Sequence, residues 1–217
     1  SNVSLEDCKT YYNTYFKPGN AYLVIVGDIT PEAAKAKAEK YFGSWPAGKT
    51  PMYQYTFPKA VDKTTVDFVD KAGAVQSVIN ITYAVDMKPG TADVIPARVM
   101  NTILGSGFSG RLFKNLREDK AYTYGAYSSL DADELVGSFS ANASVRNEVT
   151  DSAVTQFLIE LNKLRTEPVT KEELELAKSF IAGGFARSLE SPQTVAGFAL
   201  NIDMYKLPAD YYETYLQ

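Results

Sequence analysis

Three features of the sequence predict an α+β fold in which an antiparallel sheet carries its helices on one face. Alternating apolar and polar stretches occur at 64–70, 76–85, 122–130 and 135–145. They fall in pairs joined by short turns, and the pairs are separated by two helical patterns rather than by one helix after each strand. An order of ββ, αα, ββ and then further helices argues against a doubly wound parallel sheet. Neither a low-complexity tract nor a short-period repeat is present.

Taken in order, residues 5–16 read as a short amphipathic helix with Leu5, Cys8, Tyr12 and Tyr15 or Phe16 on one side, stopped by Lys17-Pro18-Gly19-Asn20. The continuous β-branched and apolar run at 21–26 predicts a strand buried on both faces. Thr30-Pro31-Glu32 is a helix start: Thr caps, Pro suits the first helical position, and Glu favours the positive end of the helix dipole. That helix should reach Phe42, with Gly43 closing it. Residues 43–58 contain prolines and lack helical periodicity, so a domain boundary is placed there.

The stretches 64–70 and 76–85, joined by Lys71-Ala72-Gly73-Ala74, predict a hairpin. A helix over 93–104 follows, with Pro96 tolerated in its first turn, then a turn at 105–109 and a helix over 110–119. A second hairpin spans 122–130 and 135–145, and a helix over 149–164 shows one apolar face. Thr170-Lys171-Glu172-Glu173 is a capping-box signature for a long helix, and Ser191-Pro192 opens another that ends before Pro208.

Composition excludes several functions. The 217 residues carry a net charge of −4 with cations scattered among acids, so no basic stripe serves nucleic acid. The longest apolar runs fall far short of a bilayer span. A single cysteine, Cys8, makes no internal disulfide. Histidine is absent, which removes an H-x-x-E-H zinc site in either direction and any Ser-His or Cys-His nucleophile pair.

The loop Gly105-Ser106-Gly107-Phe108-Ser109-Gly110 invites a phosphate-cradle reading, but it follows a helix and lacks the Lys-Ser/Thr of a Walker loop. A turn between helices, with Gly105, Gly107 and Gly110 as loop or hinge positions, fits better. The acid pairs Glu118-Asp119, Asp131/Asp133 and Glu172-Glu173 sit in turns or first helical turns, where capping and solvation explain them. Gly183-Gly184 within a long helix suggests close packing or a hinge. Arg117 and Tyr124 stand at element ends. Guanidinium and phenol are both donors, and their convergence would suit a peptide carbonyl or a developing oxyanion; dipole contact and cross-strand packing are the structural alternatives.

The run LGSGFSGRLFKNLREDKAYTYGAYSS resembles the signature of the second, non-zinc half of the pitrilysin/insulinase family, the inverted zincins related to mitochondrial processing peptidase. YYNTYFKPGNAYLVIVGDIT, PEAAKAKAEKYFGSWPAG and VTKEELELAKSFIAGGF agree with it, so the resemblance covers nearly the whole chain. It implies a mitochondrial-processing-peptidase-like or LuxS-like metallohydrolase half with ferredoxin-like elements. It also implies that 1–50 are the terminal helix-strand-helix and linker of a preceding half, and that 51–217 are a non-zinc, substrate-binding half whose ending lies beyond Gln217.

In that family an Arg-Tyr pair seven residues apart reaches across a two-half chamber to the substrate. The resemblance transfers this role to Arg117 and Tyr124, with Tyr122 as the less well-matched choice. No metal ligand and no catalytic residue is expected in this chain; zinc would belong to the partner half, in the same polypeptide or a separate subunit. Expected partners are that homologous half and a peptide or unfolded segment, with no nucleic acid and no membrane span. A domain-swapped oligomer, in which 1–42 dock at the sheet in cis or in a neighbouring chain, is a further expectation. The rival reading is a structural or assembly subunit of the same fold. A bacterial periplasmic or envelope location fits the resemblance, the cytoplasm being the alternative.

Overall fold

The computed structural model describes residues 2–217. Its helices are α1 (Leu5–Tyr15), α2 (Pro31–Phe42), α3 (Val94–Gly105), α4 (Arg111–Phe113), α5 (Thr150–Thr166), α6 (Lys171–Ser188) and α7 (Pro192–Met204); its strands are β1 (Gln76–Val85), β2 (Thr123–Asp131) and β3 (Gly137–Arg146). The chain divides into two units, one of Thr56–Phe185 and one made of the residues up to Tyr55 together with Ala186–Gln217.

In the first unit β3 is the central strand of an antiparallel sheet in the order β1-β3-β2. The register sets Ile79 opposite Ala143 on one side of β3, and Ala126 opposite the same residue on the other. Strand alternation turns Phe139, Ala141, Ala143 and Val145 to one face, where they form the core with Leu104, Leu112, Leu116, Ala153 and Phe157 of the helical layer. The alanines keep the sheet surface low, so helices settle close to it. At the end of α3 the approach is close: a Cβ on Gly105 would lie 2.4 Å from the backbone nitrogen of Ser128. Gly110 is similarly crowded by Leu104 and Gly105, so these two glycines serve packing.

In the second unit the helix starts follow the local signals. Ser4 and Asp7 form a reciprocal capping box on α1, Asp7 N–H donating to Ser4 Oγ at 3.2 Å and Ser4 N–H to Asp7 Oδ2 at 2.8 Å. Thr30 Oγ1 accepts from Ala33 N–H at 3.2 Å, with Pro31 at the first helical position of α2. None of α1, α2 or α7 contains a buried residue.

Four expectations are corrected. Residues 21–26 are not a buried strand: they join no sheet, and Tyr22, Leu23, Val24, Ile25 and Val26 are exposed. A β-branched run favours extended backbone, but a strand needs a neighbour for its N–H and C=O groups. Residues 64–70 likewise form no hairpin with β1, leaving Val66, Phe68 and Val69 exposed. Asn147 Nδ2 donates to Ala74 O at 2.8 Å and Asn147 Oδ1 accepts from Ser77 Oγ at 3.1 Å, which ties the start of β1 to the end of β3 rather than to 64–70. The helix expected over 110–119 is a short α4 that widens into a π-helical turn, Lys114–Asp119. Finally, a Cβ at Gly183 or Gly184 would meet nothing within 4 Å, so no described neighbour explains them by close packing.

Candidate functional site

The site grows from the exit of the π-helical turn. Asn115 O accepts from Lys120 N–H at 3.0 Å, Leu116 O from Tyr122 N–H at 2.8 Å, and Arg117 O from Ala121 N–H at 3.1 Å. Three carbonyls that a helix end would leave orphaned are thus satisfied by the returning chain. The reversal passes through Ala121 at φ 53°, the left-handed region that usually takes glycine at this place in a helix end. Arg146 Nη1 donates to Ala121 O at 2.6 Å and holds the reversal to β3.

The returning strand β2 begins at Thr123, and its register shifts between Thr123 and Ala126. Thr123 Oγ1 donates to Ser144 O at 2.6 Å and receives Gly125 N–H at 3.1 Å, which supports the irregular start. Tyr124 lies within it and is 83% exposed.

Arg117 and Tyr124 are brought together. Arg117 Nη1 donates to Tyr124 O, and the guanidinium carbon stands 5.8 Å from the Tyr124 ring centroid and 5.2 Å from that of Phe113. The cation is thus held between two aromatic faces. Phe113 is itself buried and fixed edge-on by Phe108 at 5.0 Å. Besides the Tyr124 carbonyl, the exposed guanidinium and the phenol have no hydrogen-bond partner among the described residues. The pair therefore presents several donors to solvent, a surface suited to carbonyl or carboxylate oxygens. Tyr122 differs: it is partly buried and packs against the core. Gly105 ends α3, Gly107 lies in the turn that follows at φ 67°, and Gly110 is the N-cap of α4.

Two of the acidic candidates, Asp133 and Glu173, have structural roles. Asp133 Oδ1 accepts from Leu135 and Val136 N–H at 2.7 and 3.0 Å; these bonds shape the β2–β3 turn and hold its carboxyl below the usual range. Glu173 takes both forks of Arg111, Nε at 2.6 Å and Nη2 at 2.8 Å, and accepts Thr170 N–H at 3.0 Å in the expected capping box. The guanidinium is the main cause of lowering its pKa to about 2.

The sequence places Phe113 facing inward without linking it to Arg117, and it does not single out Asn115 or Glu160, which bond to each other. One signal for Glu160 was present: it occupies a place in the inward stripe of α5, with Ala153 and Phe157. Among the described residues no group of three or more His, Cys, Asp or Glu is placed to hold a metal, and the chain has no histidine. These residues do not fit a zinc site. No helix among them is long and apolar enough to cross a membrane.

Comparison with known proteins adds the family. The model for the peptidase M16 inactive domain matches residues 2–180. The chain belongs to that family. It is similar to a Bacillus subtilis protein named "Uncharacterized zinc protease YmxG", 26% identical over 187 residues, covering 86% of this chain and 44% of the relative. A Helicobacter pylori protein named "Non-peptidase homolog YmxG" is 20% identical over 214 residues, covering 99% of this chain and 49% of that one. The chain spans about half the length of these curated relatives. The crystal structure of a peptidase M16 inactive domain from Pseudomonas fluorescens has the same fold, with a TM-score of 0.77 at 22% identity, covering 99% of this chain and 51% of that one. The α+β sheet-and-helix architecture is thus that of M16 inactive domains.

Proposed function

We propose that this M16 inactive domain is the non-catalytic, substrate-binding half of a zinc-dependent endopeptidase that cleaves peptides or unfolded segments in a two-half chamber. Arg117 and Tyr124 bind the substrate backbone. The observation that carries the reading is their convergence: a guanidinium fixed by the Tyr124 carbonyl and two rings, with a phenol exposed beside it. Such donors act on a peptide carbonyl, and more strongly once an oxyanion develops and water is excluded. The exposure of Tyr124 and the core packing of Tyr122 favour Tyr124 as the phenol. Zinc belongs in this reading to the homologous partner half, because the residues here do not fit it.

The test uses the two halves assembled. Arg117→Ala should lower turnover of a quenched fluorescent peptide by two orders of magnitude or more while the circular dichroism of this half stays unchanged. Activity near that of the unsubstituted protein would remove the assignment.

A second reading is a structural subunit of the same fold without peptidase activity. The name of the Helicobacter pylori non-peptidase homologue, whose match covers almost the whole chain, favours it. It predicts that no assembled form cleaves peptides, whatever stands at 117.

A further inference from the structure

We propose that Glu160 and Asn115 are positioning residues for Arg117, holding the π-helical turn in the register that sets the guanidinium beside Tyr124; this rests on the substrate-binding reading of Arg117. Helix α5 buries Ala153, Phe157 and Glu160, four and then three residues apart. The third member of this inward stripe is a carboxylate, only 4% exposed. An aliphatic side chain would be satisfied there by contact alone. A buried carboxylate requires partners, because an unpaired charge in that setting is far more costly than a paired one.

Two partners are supplied. Lys163 Nζ lies 2.9 Å from Glu160 Oε1, and Asn115 Nδ2 donates to the same oxygen at 2.7 Å. The same Nδ2 also donates to Gln156 Oε1 at 3.1 Å, so both amide protons of Asn115 are directed to α5. Asn115 Oδ1 is buried with no partner among the described residues. The side-chain hydrogen bonds that Asn115 makes are thus the ones its amide donates to α5.

Those donors grip the point where the helix widens. Asn115 O accepts from Lys120 N–H, five residues on, and that bond defines the wide turn carrying Arg117 two residues later. A π-helical turn is rarer and less stable than an α-helical one. A shift of one residue in helical register turns a side chain by about 100°. Loss of the wide turn would therefore carry the guanidinium away from the Tyr124 carbonyl and ring. A buried polar pair is best understood as a device that selects one register, rather than as a large source of stability.

The test observes Arg117 directly in this chain, with no partner half and no substrate. With 15N-labelled arginine, the Arg117 Nε–Hε cross-peak and its nuclear Overhauser contacts to the Phe113 and Tyr124 rings are followed. Glu160→Leu should abolish those contacts while the Leu104 and Leu112 methyl shifts persist, and Glu160→Gln, which keeps the acceptor oxygen, should restore them. Asn115→Ala leaves the Glu160–Lys163 pair in place and should abolish them too; it also keeps the question answerable if Glu160→Leu fails to fold. Retention of the contacts in Asn115→Ala, or in a folded Glu160→Leu, overturns the proposal, as does their loss in Glu160→Gln. The outcome is separate from that of the substrate reading. Contacts that behave as expected, together with full activity of Arg117→Ala in the assembled enzyme, would uphold the positioning and discard the substrate role.

Discussion

Residues 56–185 and the remainder of the chain contain helices built from the same local signals, yet only the former surround a core. Thr170 with Glu173 and Ser4 with Asp7 form equivalent capping boxes. One opens a helix whose unit fully buries Leu104, Leu112, Leu116, Phe139, Val145 and Phe157; the other opens α1, which buries nothing. Caps and periodicity are thus sufficient to place a helix, whereas burial depends on what lies opposite. The strands make the contrast sharper. β3 has neighbours on both sides, while the equally β-prone run 21–26 has none and forms no strand.

The largest effect should come from breaking the core that distinguishes the two regions. Phe157→Ala should lose about 3–5 kcal/mol in urea unfolding, through lost contact and a residual cavity. Ile25→Ala, in the exposed run, should stay within about 0.5 kcal/mol. Equal losses would show that 21–26 are covered in solution and would erase the difference drawn above.

Next in size is the tie between the α4 turn and α6. Arg111→Ala leaves a partly buried Glu173 carboxylate with the Thr170 amide alone and should cost about 2–3 kcal/mol. The pair also predicts a pH dependence. Glu173 has its pKa lowered in the folded state from 4.5 to about 2, so the unfolded chain binds the proton more readily. Its stabilisation, on the order of 3 kcal/mol, is complete above about pH 4.5 and is lost as pH falls towards 2. Urea midpoints measured from pH 6 to 2 should fall more steeply for the unsubstituted chain than for Arg111→Ala; parallel curves would refute the pair as the source.

Smaller gains sharpen the view that α6 has no close neighbour at Gly183 and Gly184. Gly183→Ala and Gly184→Ala should each raise stability by about 0.5–1 kcal/mol, since a Cβ meets open space there and alanine is the better helix former. Thermal unfolding of this chain measures it, and a loss would reveal packing at those positions. The smallest change concerns the reversal beside Arg117. Ala121→Gly relieves a left-handed alanine but adds unfolded-state freedom, so the net change should be below about 1 kcal/mol.

Much of the candidate site was legible because it is local. Arg117 and Tyr124 are seven residues apart, and the turn that joins them lies between two elements whose periodicities are plain. The contacts that hold the pair were less so. Glu160 is 45 residues from Asn115 and Glu173 is 62 from Arg111; such partners meet only when α5 and α6 pack. The π-helical turn was invisible too, since LFKNLRED carries ordinary α-helical residues and its widening depends on hydrogen bonds from the returning chain.

The sequence by itself determined where helices begin, the hairpin of β2 and β3, the absence of histidine chemistry, and the family. These follow from caps, period-two alternation, composition and motif order, all carried along the chain. Only the tertiary structure decided that 21–26 and 64–70 stay unpaired, that Tyr124 rather than Tyr122 is exposed, and that Arg117 is gripped between Phe113 and Tyr124. Each of those depends on a neighbour distant in sequence or on a backbone register, and a strand, a buried carboxylate or an aimed guanidinium has no stable arrangement until that neighbour is in place.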